Sequence, residues 1–327
     1  MELVEAIDRL RKEKDAIIMA HNYQRPEVQD VADYVGDSVE LARRAMDEKK
    51  AKILVVAAVD FMAENAFLLN PKKKVLIPNQ YAHCPMARML TLDDIKRYRE
   101  TYPGTPIVLY VNTFAEAKAE CDICCTSANA LKIVESIQSD KVIFGPDCNL
   151  AEYVQERTKK KIIPIPELGF CPTHQRFDEE NILLLKAKYP KAKVLAHPEC
   201  TREVRHIADF VGSTSRIINY AREATDVATF IIGTEEGILH RLKKENPEKE
   251  FILAHALGIC PNMKMTTLEN IYLSLKDEVY QVTVPRNTAS KARQALEKMF
   301  KVTTPTPEGR GLLFPSGKET VAPVSEH

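Results

Sequence analysis

Eight cysteines stand at positions 84, 121, 124, 125, 148, 171, 200 and 260 of a 327-residue chain. Three of them share a setting: His83-Cys84-Pro85-Met86, Phe170-Cys171-Pro172-Thr173 and Ile259-Cys260-Pro261-Asn262. These lie 87 and 89 residues apart, a long-range repeat unlike the paired Cys-x-x-Cys knuckles of a zinc ribbon. Soft thiolates select zinc or iron–sulfur clusters over hard cations. Three thiolates brought to one point suit three corners of a cubane, with one iron left open to substrate. A single such cysteine would read as a small buried hydrophobe; three at matched positions read as ligands. Within Gly169-Phe170-Cys171-Pro172-Thr173-His174, a histidine also follows Cys171 by three positions. Taken alone, that stretch reads as half of a zinc site.

A second group of reactive side chains lies where apolar runs end. His21-Asn22-Tyr23, Tyr110 with Asn112, and His197-Pro198-Glu199-Cys200 follow three strand-like segments. His21 and His197 offer donors to anionic ligands, and Tyr23 with Glu199 forms a candidate acid–base pair. Ser38, Ser127 and Thr214 add hydroxyls at expected helix starts, which suit carboxylate or phosphate groups but are equally explained as caps. Lys264, just after Cys260, reads as a central cation or, more simply, as a surface lysine. Gly233-Thr234-Glu235-Glu236-Gly237 reads as a turn with a cap. Cys121, Cys124 and Cys125 read as incidental thiols in a helical region.

What must position these groups is an internal repeat. Apolar runs at 17–20, 107–110 and 193–196 are 90 and 86 residues apart, and those at 53–56, 142–145 and 230–233 are 89 and 88 apart. A third set follows at 75–78, 162–165 and 251–254. Each copy reads strand–helix–strand–helix–strand–helix, the pattern of a parallel sheet covered on both faces. The runs are continuously apolar, as buried parallel strands are. The expected fold is α/β: three homologous three-layer αβα domains with short parallel sheets around a pseudo-threefold axis. The expected boundaries are 1–102 (with an N-terminal helix), 103–190, 191–302 (with a C-terminal helix), and a flexible tail over 303–327. In such sheets the loops leaving the carboxyl ends of the strands form the binding crevice, so the three Cys-Pro loops are expected to meet there. Helix starts are expected at Asp37-Ser38, Thr126-Ser127 and Ser213-Thr214.

Composition narrows the partners. Lys+Arg and Asp+Glu balance at 46 each, with 45% hydrophobic and 28% charged residues, so neither nucleic acid nor a membrane is expected. The N-terminus lacks an apolar h-region and no apolar run is long enough to span a bilayer. A cytoplasmic protein with reduced thiols is expected.

Several stretches resemble quinolinate synthase. They are His-Asn-Tyr (21–23), Tyr-Val-Asn (110–112), Thr-Ser-Ala-Asn (126–129), Gly-Pro-Asp-x-Asn-Leu (145–150) and Gly-Phe-Cys-Pro-x-His (169–174). His-Pro-Glu-Cys (197–200), Gly-Ser-Thr-Ser (212–215), Gly-Thr-Glu-x-Gly (233–237) and Cys-Pro-Asn-Met-Lys (260–264) follow in order, so the resemblance runs from about residue 14 to 300. It implies three αβα domains and an oxygen-sensitive [4Fe-4S] cluster on Cys84, Cys171 and Cys260, with the fourth iron free. It implies condensation of iminoaspartate with dihydroxyacetone phosphate to quinolinate for NAD synthesis, with iminoaspartate supplied by an aspartate oxidase or dehydrogenase. Under it Glu199 and Tyr23 move protons, and His174 faces substrate and serves as a further proton donor. His21, Ser38, Ser127, His197 and Thr214 hold carboxylates and phosphate, while Tyr110 and Asn112 complete the pocket. The stretch around Cys84 is the least family-like, and the tail has no counterpart. Two rival readings keep the same thiolates. One places zinc there, with His174 as fourth ligand and a hydrolytic or lyase role; the other is a non-enzymatic iron–sulfur redox sensor, which lacks any DNA-binding motif or basic face.

Overall fold

A computed structural model describes residues 2–303, so the tail expected over 303–327 falls, from residue 304 on, outside the described residues. The described residues form three separate four-stranded sheets, all parallel. The first holds β1 (Ala16–His21), β2 (Tyr34–Gly36), β3 (Ile53–Ala57) and β4 (Lys74–Leu76) in the order β2-β1-β3-β4. The second holds β5 (Ile107–Tyr110), β6 (Ile123–Cys125), β7 (Lys141–Gly145) and β8 (Lys161–Pro164), and the third β9 (Lys193–Ala196), β10 (Phe210–Val211), β11 (Thr229–Gly233) and β12 (Glu250–Leu253). Both repeat the first sheet's order. Central strands such as Ile53–Ala57 are buried along their whole length, because helices cover both faces.

Each sheet therefore has four strands, one more per copy than the apolar runs predict. The extra strands β2, β6 and β10 span only three, three and two residues, too few to carry a periodic signal. They are pinned from outside. Asp33, Asp122 and Asp209 each accept a backbone N–H from the neighbouring strand, from Ile18, Ile107 and Val194, all at 2.8 Å.

The helix that follows each Cys-Pro loop crosses to the next sheet. Ile95 and Tyr98 of helix Leu92–Thr101 pack with Ile107, Leu109 and Ile163 of the second sheet. Ile182 of helix Glu179–Lys188 packs with Val194, Ala196 and Ile231 of the third. Ile271 and Leu275 of helix Leu268–Asp277 return to Ile18 and Val55 of the first. The exchange thus closes in a ring, and the ends of the described chain reinforce it. Helix Glu2–Glu13 packs against Leu268–Asp277, and helix Arg286–Thr303 against β6. Among the described residues no helix is long and apolar enough to cross a membrane.

Two of the expected helix starts are as predicted, at Ser38–Asp47 under an Asp37 capping box and at Thr214–Glu223. The third is displaced: the helix begins at Ala130, because the Asn129 side chain accepts the Thr126 amide at 2.7 Å and holds 126–129 in a turn. Cys124 and Cys125 likewise lie on β6 and not in a helix, with the Cys121 and Cys124 sulfurs 3.9 Å apart.

Candidate active site

The loops leaving the carboxyl ends of the three sheets enclose one cavity of about 1010 Å³ including its open mouth. His21, Tyr23, Ser38 and Cys84 line it from the first unit, Tyr110, Asn112, Ser127, Cys171 and His174 from the second, and His197, Glu199, Thr214 and Cys260 from the third. Every residue singled out in the sequence for a site role therefore reaches the same space.

Its centre is a directed hydrogen-bond chain. Glu199 is buried between imidazoles. Burial opposes its charge, but His197 and His174, with hydrogen bonds from His174 and Tyr110, outweigh that and hold the carboxyl well below its usual range. A carboxylate only accepts, so the Tyr110 hydroxyl donates to Oε1 at 2.6 Å, while the His174 Nδ1 proton lies between Glu199 Oε2 at 2.9 Å and Cys171 Sγ at 3.1 Å. His174 Nε2 is then the acceptor for the Thr234 hydroxyl at 2.9 Å, and the Thr234 oxygen accepts the Tyr23 phenol at 2.6 Å. All donors along this path point toward Glu199. Burial first, and then the Glu199 charge, push both the Tyr23 and Tyr110 phenols well above their ordinary range, so both stay protonated and able to donate.

His21 and His197 repeat one local device. In each, ring Nδ1 accepts the backbone N–H two residues on, from Tyr23 at 3.2 Å and from Glu199 at 3.3 Å. The proton of each neutral ring therefore sits on Nε2, the atom free to donate. Burial lowers both rings to about 3, so they serve as uncharged donors. The Thr214 hydroxyl accepts from Asn22 at 2.9 Å, which leaves its own proton to give. Asn112 Oδ1 and Thr126 Oγ1 line the cavity, are buried, and have no hydrogen-bond partner among the described residues, the mark of polar atoms that a ligand completes.

The three thiols meet this network. Cys171 Sγ is 3.1 Å from His174 Nδ1, and burial pushes the thiols of Cys84, Cys171 and Cys260 above their ordinary range. Part of that rise is mutual, since Cys84 and Cys260 each act on Cys171. Three half-buried thiols that repel one another's ionisation are a soft donor set awaiting cationic charge, and metal binding to them would release protons. The donor set therefore fits an iron–sulfur cluster. One atom each from Cys171, His174 and Glu199 also lie within 4.8 Å of one another, close enough to share a single ion.

Several contributors carry no site signal in the sequence. Thr234, fully buried, reads there only as part of a turn. Glu235 falls in the same turn, yet it is buried and paired with Lys264 at 2.9 Å. Lys264 is not a surface residue: its side chain is 12% exposed and also donates to the Tyr23 carbonyl at 2.7 Å. Arg176, the only lysine or arginine among the lining residues, is exposed at the cavity; its place five residues after Cys171 is the available signal. Gly169 and Gly237 let backbones touch. A Cβ on Gly169 would lie 1.9 Å from the Pro146 carbonyl oxygen, and one on Gly237 within 2.7 Å of the Tyr23 backbone.

The family model described as Quinolinate synthetase A protein matches residues 5–301. A quinolinate synthase of Alkaliphilus metalliredigens is 50% identical over 300 residues, covering 92% of this chain and 98% of the relative. One from Thermotoga maritima is 49% identical over 92% of this chain and 99% of the relative, and one from Pyrococcus horikoshii 50% identical over the same shares.

Proposed function

The chain belongs to the quinolinate synthetase A family, and from that premise we propose that it condenses iminoaspartate with dihydroxyacetone phosphate. The products are quinolinate, phosphate and two waters, in the synthesis of NAD. An aspartate oxidase or dehydrogenase supplies the iminoaspartate. The single observation that carries this reading is the convergence of three cysteines, two uncharged histidine donors and the Glu199 network on one cavity.

Cys84, Cys171 and Cys260 would hold a [4Fe-4S] cluster, which would supply a Lewis acid for a hydroxyl or carboxylate oxygen. The chain's own residues do the rest. His21 and His197 present Nε2–H groups, and Ser38, Ser127 and Thr214 hydroxyls, to substrate carboxylates and phosphate. Because these donors carry no charge, binding relies on hydrogen bonds and on the one guanidinium, Arg176, at the cavity. Asn112 and Tyr110 complete the pocket.

Glu199 is the base. Its carboxylate accepts the carbon-bound proton that must leave when the triose isomerises and when the ring forms. Tyr23 is the matching acid: burial keeps its phenol protonated and so able to give a proton. The Nδ1 proton of His174, between Glu199 Oε2 at 2.9 Å and Cys171 Sγ at 3.1 Å, is the one the ring would give during dehydration. Burial of Tyr110, His174, Glu199 and Thr234 limits the water that would otherwise hydrolyse an imine.

A second reading has one supporting observation, the Cys171–His174–Glu199 donor triangle. A single zinc ion there would make the protein a hydrolase or lyase. Incubating anaerobically purified protein with dihydroxyacetone phosphate and freshly generated iminoaspartate separates the two. Quinolinate formed in proportion to enzyme is expected; no quinolinate from protein carrying its full metal content would overturn the proposal.

A further inference from the structure

The loops that carry the three cysteines are tied down in the same way, by carboxylates that have been given no role toward the thiols. Asp60 Oδ1 accepts the backbone N–H of Cys84 at 3.0 Å, Asp147 Oδ2 that of Cys171 at 3.1 Å, and Glu235 Oε1 that of Cys260 at 2.9 Å. Each carboxylate uses its other oxygen as well. Asp60 Oδ2 meets His83 Nδ1 at 2.9 Å, Asp147 Oδ1 accepts Leu150 N–H at 2.7 Å, and Glu235 Oε2 accepts Gly237 N–H at 2.7 Å.

The local reasons for these residues differ. Asp60 begins the helix Asp60–Leu69, Asp147 caps Cys148–Gln155, and Glu235 sits in the turn before Ile238–Glu245. Capping alone would not aim three unlike positions at one atom of a cysteine. Spacing makes the same point: the acid precedes its cysteine by 24, 24 and 25 residues. Where the spacing is one residue longer, the side chain is one methylene longer.

We propose that Asp60, Asp147 and Glu235 are positioning residues for the three thiols, each fixing through its cysteine's backbone N–H where that sulfur meets a bound cluster. The inference rests on the cluster reading above. The role requires two acceptor oxygens on one planar group, which an amide cannot supply, because its NH₂ would face a backbone N–H. Asp147→Asn and Glu235→Gln should therefore loosen the loops even though they preserve shape.

The test has two arms. In metal-free protein, hydrogen exchange of segments 169–173 and 258–262 should speed up at least about tenfold in the matching variant. In loaded protein, release of iron to a chelator should speed up at least about tenfold. Asp122→Asn, whose native carboxylate grips a strand start at Ile107, controls for general loosening and should change none of these. Glu235→Asp, one methylene short, keeps the charge and should still quicken exchange in 258–262. Wild-type exchange and iron release in Asp147→Asn and Glu235→Gln would overturn the proposal, and so would equal effects in Asp122→Asn. Wild-type protein without iron and sulfide would instead sink the cluster reading, with the exchange arm still deciding the positioning role.

Discussion

Replacing Glu199 by glutamine changes one property of the site and little else. The amide side chain of Glu199→Gln keeps an oxygen to accept His174 Nδ1–H, and its NH₂ can donate to the Tyr110 oxygen, which a phenol permits. Both contacts, 2.9 Å and 2.6 Å in the native protein, can therefore persist. Losing the charge weakens each by about 1 kcal/mol, while relief of the buried charge offsets much of that. The net stability change should stay within about 2 kcal/mol, or a few degrees in Tm. Chemistry should suffer far more. A positioned base contributes about 10²- to 10⁴-fold, equivalent to about 3–5 kcal/mol of barrier. None of the three cysteines is touched, so iron and sulfide content should equal the wild type's. The assay is quinolinate formation under anaerobic conditions, on protein whose iron content has been matched. Turnover within about threefold of the wild type would refute the assignment of Glu199 as the base; lost activity accompanied by lost iron would refute the claim that its role is separate from holding the metal.

Other expectations follow from the same geometry. Gly237 has ordinary helical torsions, so the only objection to Gly237→Ala is the Cβ that would press within 2.7 Å of the Tyr23 backbone. Displacing Tyr23 should lower kcat about 10- to 100-fold with little change in the iron content, and an unchanged kcat would show that the Tyr23 position is not critical. His21 and His197 are lowered to about 3 by burial, whereas in the unfolded chain they titrate near 6.5. Between those values the unfolded state binds the extra protons, so stability rises with pH across the window from about 3 to 6.5 and is flat above it. Each ring should cost the folded state about 2 kcal/mol between pH 7 and pH 5. Urea midpoints of His197→Gln should therefore fall less on acidification than those of the wild type; parallel curves would mean that burial of this ring does not set its protonation.

Much of this was legible in the chain because the repeat multiplies weak signals. The run 53–56 or 230–233 alone is ambiguous, but three matched runs define a sheet. Equivalent positions, each a Cys-Pro, then gather Cys84, Cys171 and Cys260. What stayed hidden was either too short or too ordinary. Strands of two or three residues, such as Phe210–Val211, have no period to detect. Asp60, Asp147, Thr234 and Glu235 each look like a helix cap or turn residue in their own neighbourhood. Their second bond reaches a group 24 or more residues away, and only the fold brings it there. The return of helix Leu268–Asp277 to the first sheet is invisible for the same reason, since an amphipathic helix does not say which sheet it covers.

What the three thiols hold decides the function most directly. Iron and acid-labile sulfide measured in anaerobically purified protein, beside its visible spectrum, should give about four of each per chain, with the content lost in Cys171→Ala and Cys260→Ala. Zinc without sulfide, or a full complement of iron and sulfide in either variant, would contradict it.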